Sequence, residues 1–440
     1  VVKYRLLIPR LTVALVAFAH FASVPAAGYS PDLTPEQALG RTLFQDTNLS
    51  LNRNQACATC HALEPVFPEG AGGSDPTTPG FVDPVNVLTG SPVSTGSIPG
   101  TAGRLNAPSA GYAMFSPHFH WDGEEGLYVG GQFWNGRAAT LAEQAKGPFL
   151  NPVEMAMPNA WAVVSRVKEN PGYVQAFRDL YGIDLDTIPP WTGKPEDPVP
   201  PGVTESYEQI AAVIAAFEKS RVFNRFTSKF DYVLAGLTRF TPLEQEGLEL
   251  FESEKSQCSA CHPTEASKAP GGGTLPPLFT DFTYDNLGVP RNVRIPGNPD
   301  PDPGLGGRPE IAAVDPEGLE IGKHKVMGLR NVALTAPYMH NGVFADLEQV
   351  VKFYNSRDTL RNVADNNSPG FGTTGWPKPE IDRNVNTDEM GDLGLDEHEE
   401  AALVAFMKTL TDGYPEWGND PKVPPGTPSP FANVHFPPMP

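Results

Sequence analysis

The chain has 440 residues with a formal charge of -20 and four cysteines. That length allows two or three domains with proper cores. The excess of acid excludes nucleic acid and anionic membranes as natural partners and favours a basic protein. Its 48 prolines and 43 glycines require long ordered loops between helices, because both residues punctuate regular structure.

In chain order, Lys3, Arg5 and Arg10 precede the apolar run "LTVALVAFAHFASVPAA", which ends in small residues near Ala26 or Ala27. This pattern predicts a cleaved secretory signal over residues 1–27 and export to a bacterial periplasm. Its removal would take the formal charge to about -23. No later stretch is long enough for a transmembrane helix, so no membrane span is expected.

Next come two copies of one pattern, "CATCH" (Cys57, Cys60, His61) and "CSACH" (Cys258, Cys261, His262). C-x-x-C-H is the attachment signature of c-type haem: two thiols add to the vinyl groups and the histidine reaches the iron. Structural disulfides, a zinc site and a thioredoxin-like pair are the competing readings. None of them explains a histidine directly after both pairs. Two covalently bound haem c groups are therefore expected.

The surroundings repeat as well. "TPEQALGRTLF" (Thr34–Phe44) aligns without gaps with "TPLEQEGLELF" (Thr241–Phe251). Each begins with a Thr N-cap and Pro at the first helical position. "YEQIAAVIAAFEKS" (Tyr207–Ser220) and "EEAALVAFMKTL" (Glu399–Leu410) are the matching closing helices, amphipathic at period 3.6. The expected fold is mainly α, two tandem cytochrome c-like domains with long irregular loops. Residues 28–222 form the first domain and 223–414 the second, with the boundary near 222–240. A Pro-rich tail, 415–440, is an extended wrap or a loose end. Late in the second half, "FADLEQVVKFYNS" reads as a short amphipathic helix whose stripe is Leu347, Val350, Val351 and Tyr354.

"GGQFWNGRAATLAEQAKGPFLNPVEM" (Gly130–Met155) and "LRNVALTAPYMHNGVFADLEQVVKFYN" (Leu329–Asn355), taken with the two haem motifs, resemble the bacterial dihaem cytochrome c peroxidase superfamily. The resemblance covers essentially the whole mature chain. It implies a peroxidatic N-terminal haem, a second six-coordinate haem and a calcium ion between them. Within that superfamily the residue fourteen positions after the histidine of the "PYMHNG" block separates two subtypes. It is a methionine in conventional peroxidases and a tyrosine in MauG-type enzymes. Here, counting from His340, it is Tyr354. A thioether favours Fe(II), whereas a hard anionic phenolate favours Fe(III) and higher states. The competing ligand is Met390, in the loop before the closing helix.

The resemblance also implies roles for further residues. Iron would be held by His61 in the first haem and by His262 with Tyr354 in the second. Glu154 falls on the catalytic acid–base, with Gln144 and Pro148 on neighbouring pocket positions. Taken alone, Glu154 reads as a surface or capping carboxylate beside Pro152. Trp134 matches the tryptophan between the two haems, though alone it would pass for a core residue. Calcium would sit near the Asn106 side chain and the carbonyls of Thr335 and Pro337. His340 and Arg330 bind haem propionates or merely hold loops together. Conventional peroxidases block the first haem with a histidine soon after the motif. No histidine lies here between His61 and His118, so an open first haem is expected, with His118 or His120 swinging in as the alternative. One departure stands out. MauG-type enzymes carry a surface tryptophan two residues before the second haem motif, and here that residue is Ser256.

The expected function is a MauG-like oxidase. It would use hydrogen peroxide to build a high-valent state shared by both haems through Trp134, then oxidise a tryptophan on a partner protein. The alternative is peroxide reduction with electrons from a small redox protein, a cytochrome c or cupredoxin. A plain dihaem electron carrier is the non-catalytic reading.

Overall fold

The computed structural model describes residues 32–66, 79–268 and 274–432; the expected signal segment lies outside them. The first half contains α1 (Pro35–Phe44), α2 (Cys57–Cys60), α3 (Pro84–Thr89), β1 (His120–Asp122), β2 (Leu127–Val129), α4 (Leu141–Leu150), α5 (Ala160–Lys168), α6 (Pro171–Tyr181) and α7 (Val203–Glu218). The second contains α8 (Lys229–Leu234), α9 (Pro242–Phe251), α10 (Cys258–Cys261), β3 (Ser267–Lys268), β4 (Thr274–Leu275), β5 (Tyr284–Asp285), α11 (Pro309–Ala312), β6 (His324–Lys325), α12 (Leu347–Ser356), β7 (Arg361–Asn362), β8 (Gly375–Trp376), α13 (Glu397–Lys408) and α14 (Tyr414–Trp417). The strands pair only in twos, β1 with β2, β3 with β4, β5 with β6 and β7 with β8. Helices and loops carry the architecture. No described helix is long and apolar enough to cross a membrane.

The internal repeat is visible in how the helices cross. Thr34 and Thr241 each close a capping box, with Gln37 and Glu244 respectively, so α1 and α9 start identically. Helix α1 packs on α7, and α9 packs on α13. Both crossings depend on a glycine at the same repeat position. A Cβ on Gly40 would overlap the Val213 carbonyl oxygen, and one on Gly247 would overlap that of Ala402. Phe44 meets Phe217 edge-on with centroids 5.5 Å apart, and Phe251 meets Phe406 at 5.1 Å. Gly247→Ala should therefore destabilise the protein by about 1–3 kcal/mol through overpacking, although alanine is the better helix former. Thermal unfolding of the haem-loaded protein checks this; an unchanged or raised Tm would show that the close crossing does not matter.

One core gathers Leu39, Leu43, Phe44, Phe149, Phe177 and Phe217. A second gathers Phe230, Phe251, Phe279, Leu403, Phe406 and Leu410. A third joins residues of both halves, among them Tyr112, Phe115, Leu141, Phe226 and Leu278. Arg330 sits beside this seam. Its guanidinium forms a two-pronged pair with Asp231 at 3.0 and 2.9 Å and lies 4.4 Å from the centre of the Phe226 ring. Both charges are buried, so the pair must be complete to be tolerated. The Arg330 Nε also donates to the Pro277 carbonyl at 2.7 Å, so Arg330 ties α8 to a loop of the second half. The tail follows the surface as far as it is described: Ser429 donates to the Phe226 carbonyl, and the Thr427 carbonyl accepts from the Tyr232 hydroxyl at 3.0 Å.

Candidate active site

Each C-x-x-C-H motif is a single helical turn that hands its histidine to a fixed acceptor. The backbone N–H of His61 donates to Cys57 at 2.9 Å, and that of His262 to Cys258 at 3.0 Å. The two rings then bond through Nδ1, His61 to the Phe81 carbonyl at 3.1 Å and His262 to the Phe279 carbonyl at 2.7 Å. Phe81 and Phe279 have φ of 55° and 56°, a conformation rare for aromatic residues. Nothing in the sequence marks these two phenylalanines. Burial lowers the pKa of both imidazoles, so they are neutral donors. With Nδ1 engaged, Nε2 is the nitrogen that faces a metal. None of the four cysteines is in a disulfide.

A cavity of about 310 Å³ opens beside the second motif, large enough for a small cofactor site. Its wall includes Cys258, Cys261 and His262, and also Leu347, Val350, Val351 and Tyr354. The predicted stripe of α12 is thus the face turned to the cavity. The Asp346 cap starts this helix by accepting from Gln349 N–H. Burial raises the Tyr354 phenol, and the nearby Cys261 and Cys258 add to the shift; its side chain and the motif line the same cavity. Met390 lines the same cavity, and the two candidates are neighbours through the Gly391 N–H donating to the Tyr354 carbonyl at 2.6 Å. Unbridged cysteine pairs, neutral imidazoles and a largely apolar cavity ending in a phenol and a thioether fit a c-type haem.

In the first half, the chain folds back at the end of α4 and brings three predicted residues together. Pro148 lies inside α4, one turn after Gln144. Its carbonyl accepts from Met155 N–H at 3.1 Å, and Phe149 accepts from Met157 at 2.7 Å, which places Glu154 beside this turn. The Glu154 carbonyl takes Ser97 N–H at 2.6 Å, and the Ser97 carbonyl holds the side chains of Asn52 and Asn54 just before the haem motif. The Glu154 carboxyl accepts from Asn151 Nδ2 at 2.6 Å. Burial raises its pKa, opposed by the charge of Arg137 and by Asn151. Burial raises the Cys57 and Cys60 thiols, and the Glu154 charge adds a smaller share to both. The Glu154 side chain is partly buried, not exposed. His118 and His120 are exposed, His120 on β1 with its ring on the His118 carbonyl.

Trp134 contacts residues of both halves of the chain. Its indole N–H donates to the Asn106 carbonyl at 2.8 Å, its own carbonyl accepts from Lys325, and its ring meets His340 edge-on. Trp134, Asn106, Thr335 and Pro337 all line the cavity of the second motif. His340 pairs with Glu380 and stacks on His324, the ring centroids 3.7 Å apart. Three groups went unforeseen. Glu218 is buried, with Oε2 unpartnered and its pKa pushed up to about 8 by desolvation. Lys325 is buried, donates to Gly131 and is pulled down to about 7. His324 completes the histidine stack. Each lies in an unremarkable stretch of sequence, and only tertiary packing makes it unusual. Ser256 is interior, its hydroxyl bound to the Leu250 carbonyl.

Comparison with known proteins agrees with this chemistry. The family model described as di-haem cytochrome c peroxidase matches residues 34–239. Methylamine utilization protein MauG of Paracoccus denitrificans is 39% identical, covering 88% of this chain and 92% of that protein. Cytochrome c peroxidase Ccp of Escherichia coli is 31% identical over 72% of this chain and 52% of its own length. Among solved structures, the diheme peroxidase BthA from Burkholderia thailandensis superposes with a TM-score of 0.68 at 30% identity, each chain covered to 92%. The molecule has the two cytochrome c-like domains of these enzymes, carries two c-type haems and acts on peroxide. The chain belongs to the di-haem cytochrome c peroxidase family.

Proposed function

We propose that this chain is a periplasmic oxidase of MauG type that uses hydrogen peroxide to oxidise a tryptophan on a partner protein. One observation carries the reading: the apolar stripe of α12 ends on the cavity wall in Tyr354, beside His262 and the second cysteine pair. In this reading residues 28–222 hold the peroxidatic haem, 223–414 the second haem, and 1–27 is removed on export. When bound, the haems supply the centre at which the O–O bond opens and the oxidising equivalents that result. Glu154 takes a proton from the inner peroxide oxygen and returns it to the outer one, a transfer that suits a buried carboxyl of raised pKa. Gln144 and Pro148 shape the pocket around it. Tyr354 holds the second iron with His262, and Trp134 passes electrons between the two regions. Asn106, Thr335 and Pro337 hold calcium by oxygen donors. The exposed positions of His118 and His120 support an open first site.

The second reading is reduction of peroxide by electrons from a small cytochrome c or cupredoxin. The presence of Met390 on the same cavity wall favours it. An anaerobic peroxide titration of the fully ferric holoprotein separates the two. The MauG-type reading expects peroxide to be consumed without any reductant. Consumption only after reduced cytochrome c is supplied would establish the second.

A further inference from the structure

Ser256 is buried, so no redox-active side chain reaches the surface where MauG-type relatives are expected to carry one. The structure provides another way out. All six tryptophans are described, and Trp121 alone is exposed, at 52%. It stands on the β1–β2 hairpin, where register places it across from Tyr128. From there aromatic rings run inward in contact. Trp121 meets Tyr128 edge-on at 4.8 Å, Tyr128 stacks on Phe119 at 5.3 Å and 6°, and Phe119 meets Tyr284 edge-on at 6.0 Å. Tyr284 is buried on β5, its hydroxyl bound to the Gly130 carbonyl. Its register partner on β6 is Lys325, whose N–H donates to the Trp134 carbonyl at 2.8 Å. Gly136, two residues beyond Trp134, keeps the lane open, since a Cβ there would overlap the Tyr284 hydroxyl.

We propose that Trp121 is the surface redox outlet of this enzyme, connected to Trp134 through Tyr128, Phe119 and Tyr284. The proposal rests on the protein-oxidising reading above and names the side chain that delivers it. The charges along the lane are graded. Arg308 lies 4.0 Å above Phe119, which makes that already resistant ring a bridge and not a stopping place. Asp122, Glu124 and Glu125 surround the hairpin turn, and negative charge favours an electron vacancy at its outer end. Electrons enter singly at Trp121. Per peroxide, two electrons and two protons are taken up and two waters leave. The oxidised aromatic side chain of the partner loses those two electrons and releases two protons to solvent.

The test uses the ferric holoenzyme with limiting peroxide and no partner, in isotopically labelled water, followed by peptide mass mapping. Without a partner, Trp121 itself should lose two electrons and two protons and gain one oxygen atom drawn from water. In Tyr128→Leu this labelling should fall about tenfold while peroxide consumption is unchanged; Trp121→Phe should leave consumption unchanged too. Labelling of other aromatic residues but not Trp121, equal labelling in Tyr128→Leu, or oxygen taken from peroxide would each overturn the outlet and leave the oxidase reading standing. If no side chain is oxidised and peroxide disappears only with reduced cytochrome c, the oxidase reading itself fails, and the outlet with it.

Discussion

Tyr354→Phe should change the absorption spectrum of the second haem and slow peroxide consumption by the ferric protein. The substitution removes one oxygen atom and leaves the α12 stripe, its Asp346 cap and the ring packing intact. Loss of an outer-shell partner already costs roughly 10–100-fold in metal-site function, so loss of the ligand itself should cost about 100-fold or more. Tyr354→Met tests the softer donor: it should restore a six-coordinate spectrum while shifting preference to the reduced iron. If Tyr354→Phe leaves spectrum and rate as they are, the ligand is Met390. In that event Met390→Ala should produce the spectral change instead.

Glu154→Gln should slow the reaction with peroxide by ~10²–10⁴-fold, the usual weight of a positioned acid–base group. Glutamine keeps the size and a hydrogen bond to Asn151 but cannot take up a proton. The pH dependence has a definite sign. Burial raises the folded pKa above the ordinary 4.5, and the carboxylate is the form that accepts a proton. The rate should therefore fall as pH drops through that raised value, at a higher pH than an exposed glutamate would give. The Arg137 charge pulls the pKa down, so Arg137→Gln should move the midpoint to higher pH. Stopped-flow rates across a pH series would decide it. A profile flat through the carboxylate range, or a Glu154→Gln variant at full speed, would remove Glu154 from the proton transfer.

Much of this molecule was legible in its sequence because the chemistry is local. The spacing inside C-x-x-C-H dictates a single turn, the Thr-Pro starts dictate α1 and α9, and the period of Leu347, Val350, Val351 and Tyr354 dictates which face of α12 turns inward. Closing helices were placed correctly, with ends displaced by two to four residues where turns fray. What remained hidden depends on distant strands and loops. Glu218 looks like any helix-end glutamate until Oε2 is found sealed without a partner. Lys325 and His324 gain their character from a two-residue strand that no periodicity announces. The aromatic lane from Trp121 needs three separate segments, near 120, 128 and 284, to meet. Glu154 and Trp134 were suggested by family likeness, and the fold supplies the physical setting that composition alone could not.

The unequal grip on the two ring nitrogens has an outcome of its own. Phe279 holds His262 at 2.7 Å, whereas Phe81 holds His61 at 3.1 Å, so the imidazole in the C-terminal half is the stronger electron donor. The molecule is therefore biased from within: under the proposed assignment, the half that does not bind peroxide is the one that gives up charge more readily, and the imbalance is written into two peptide carbonyls.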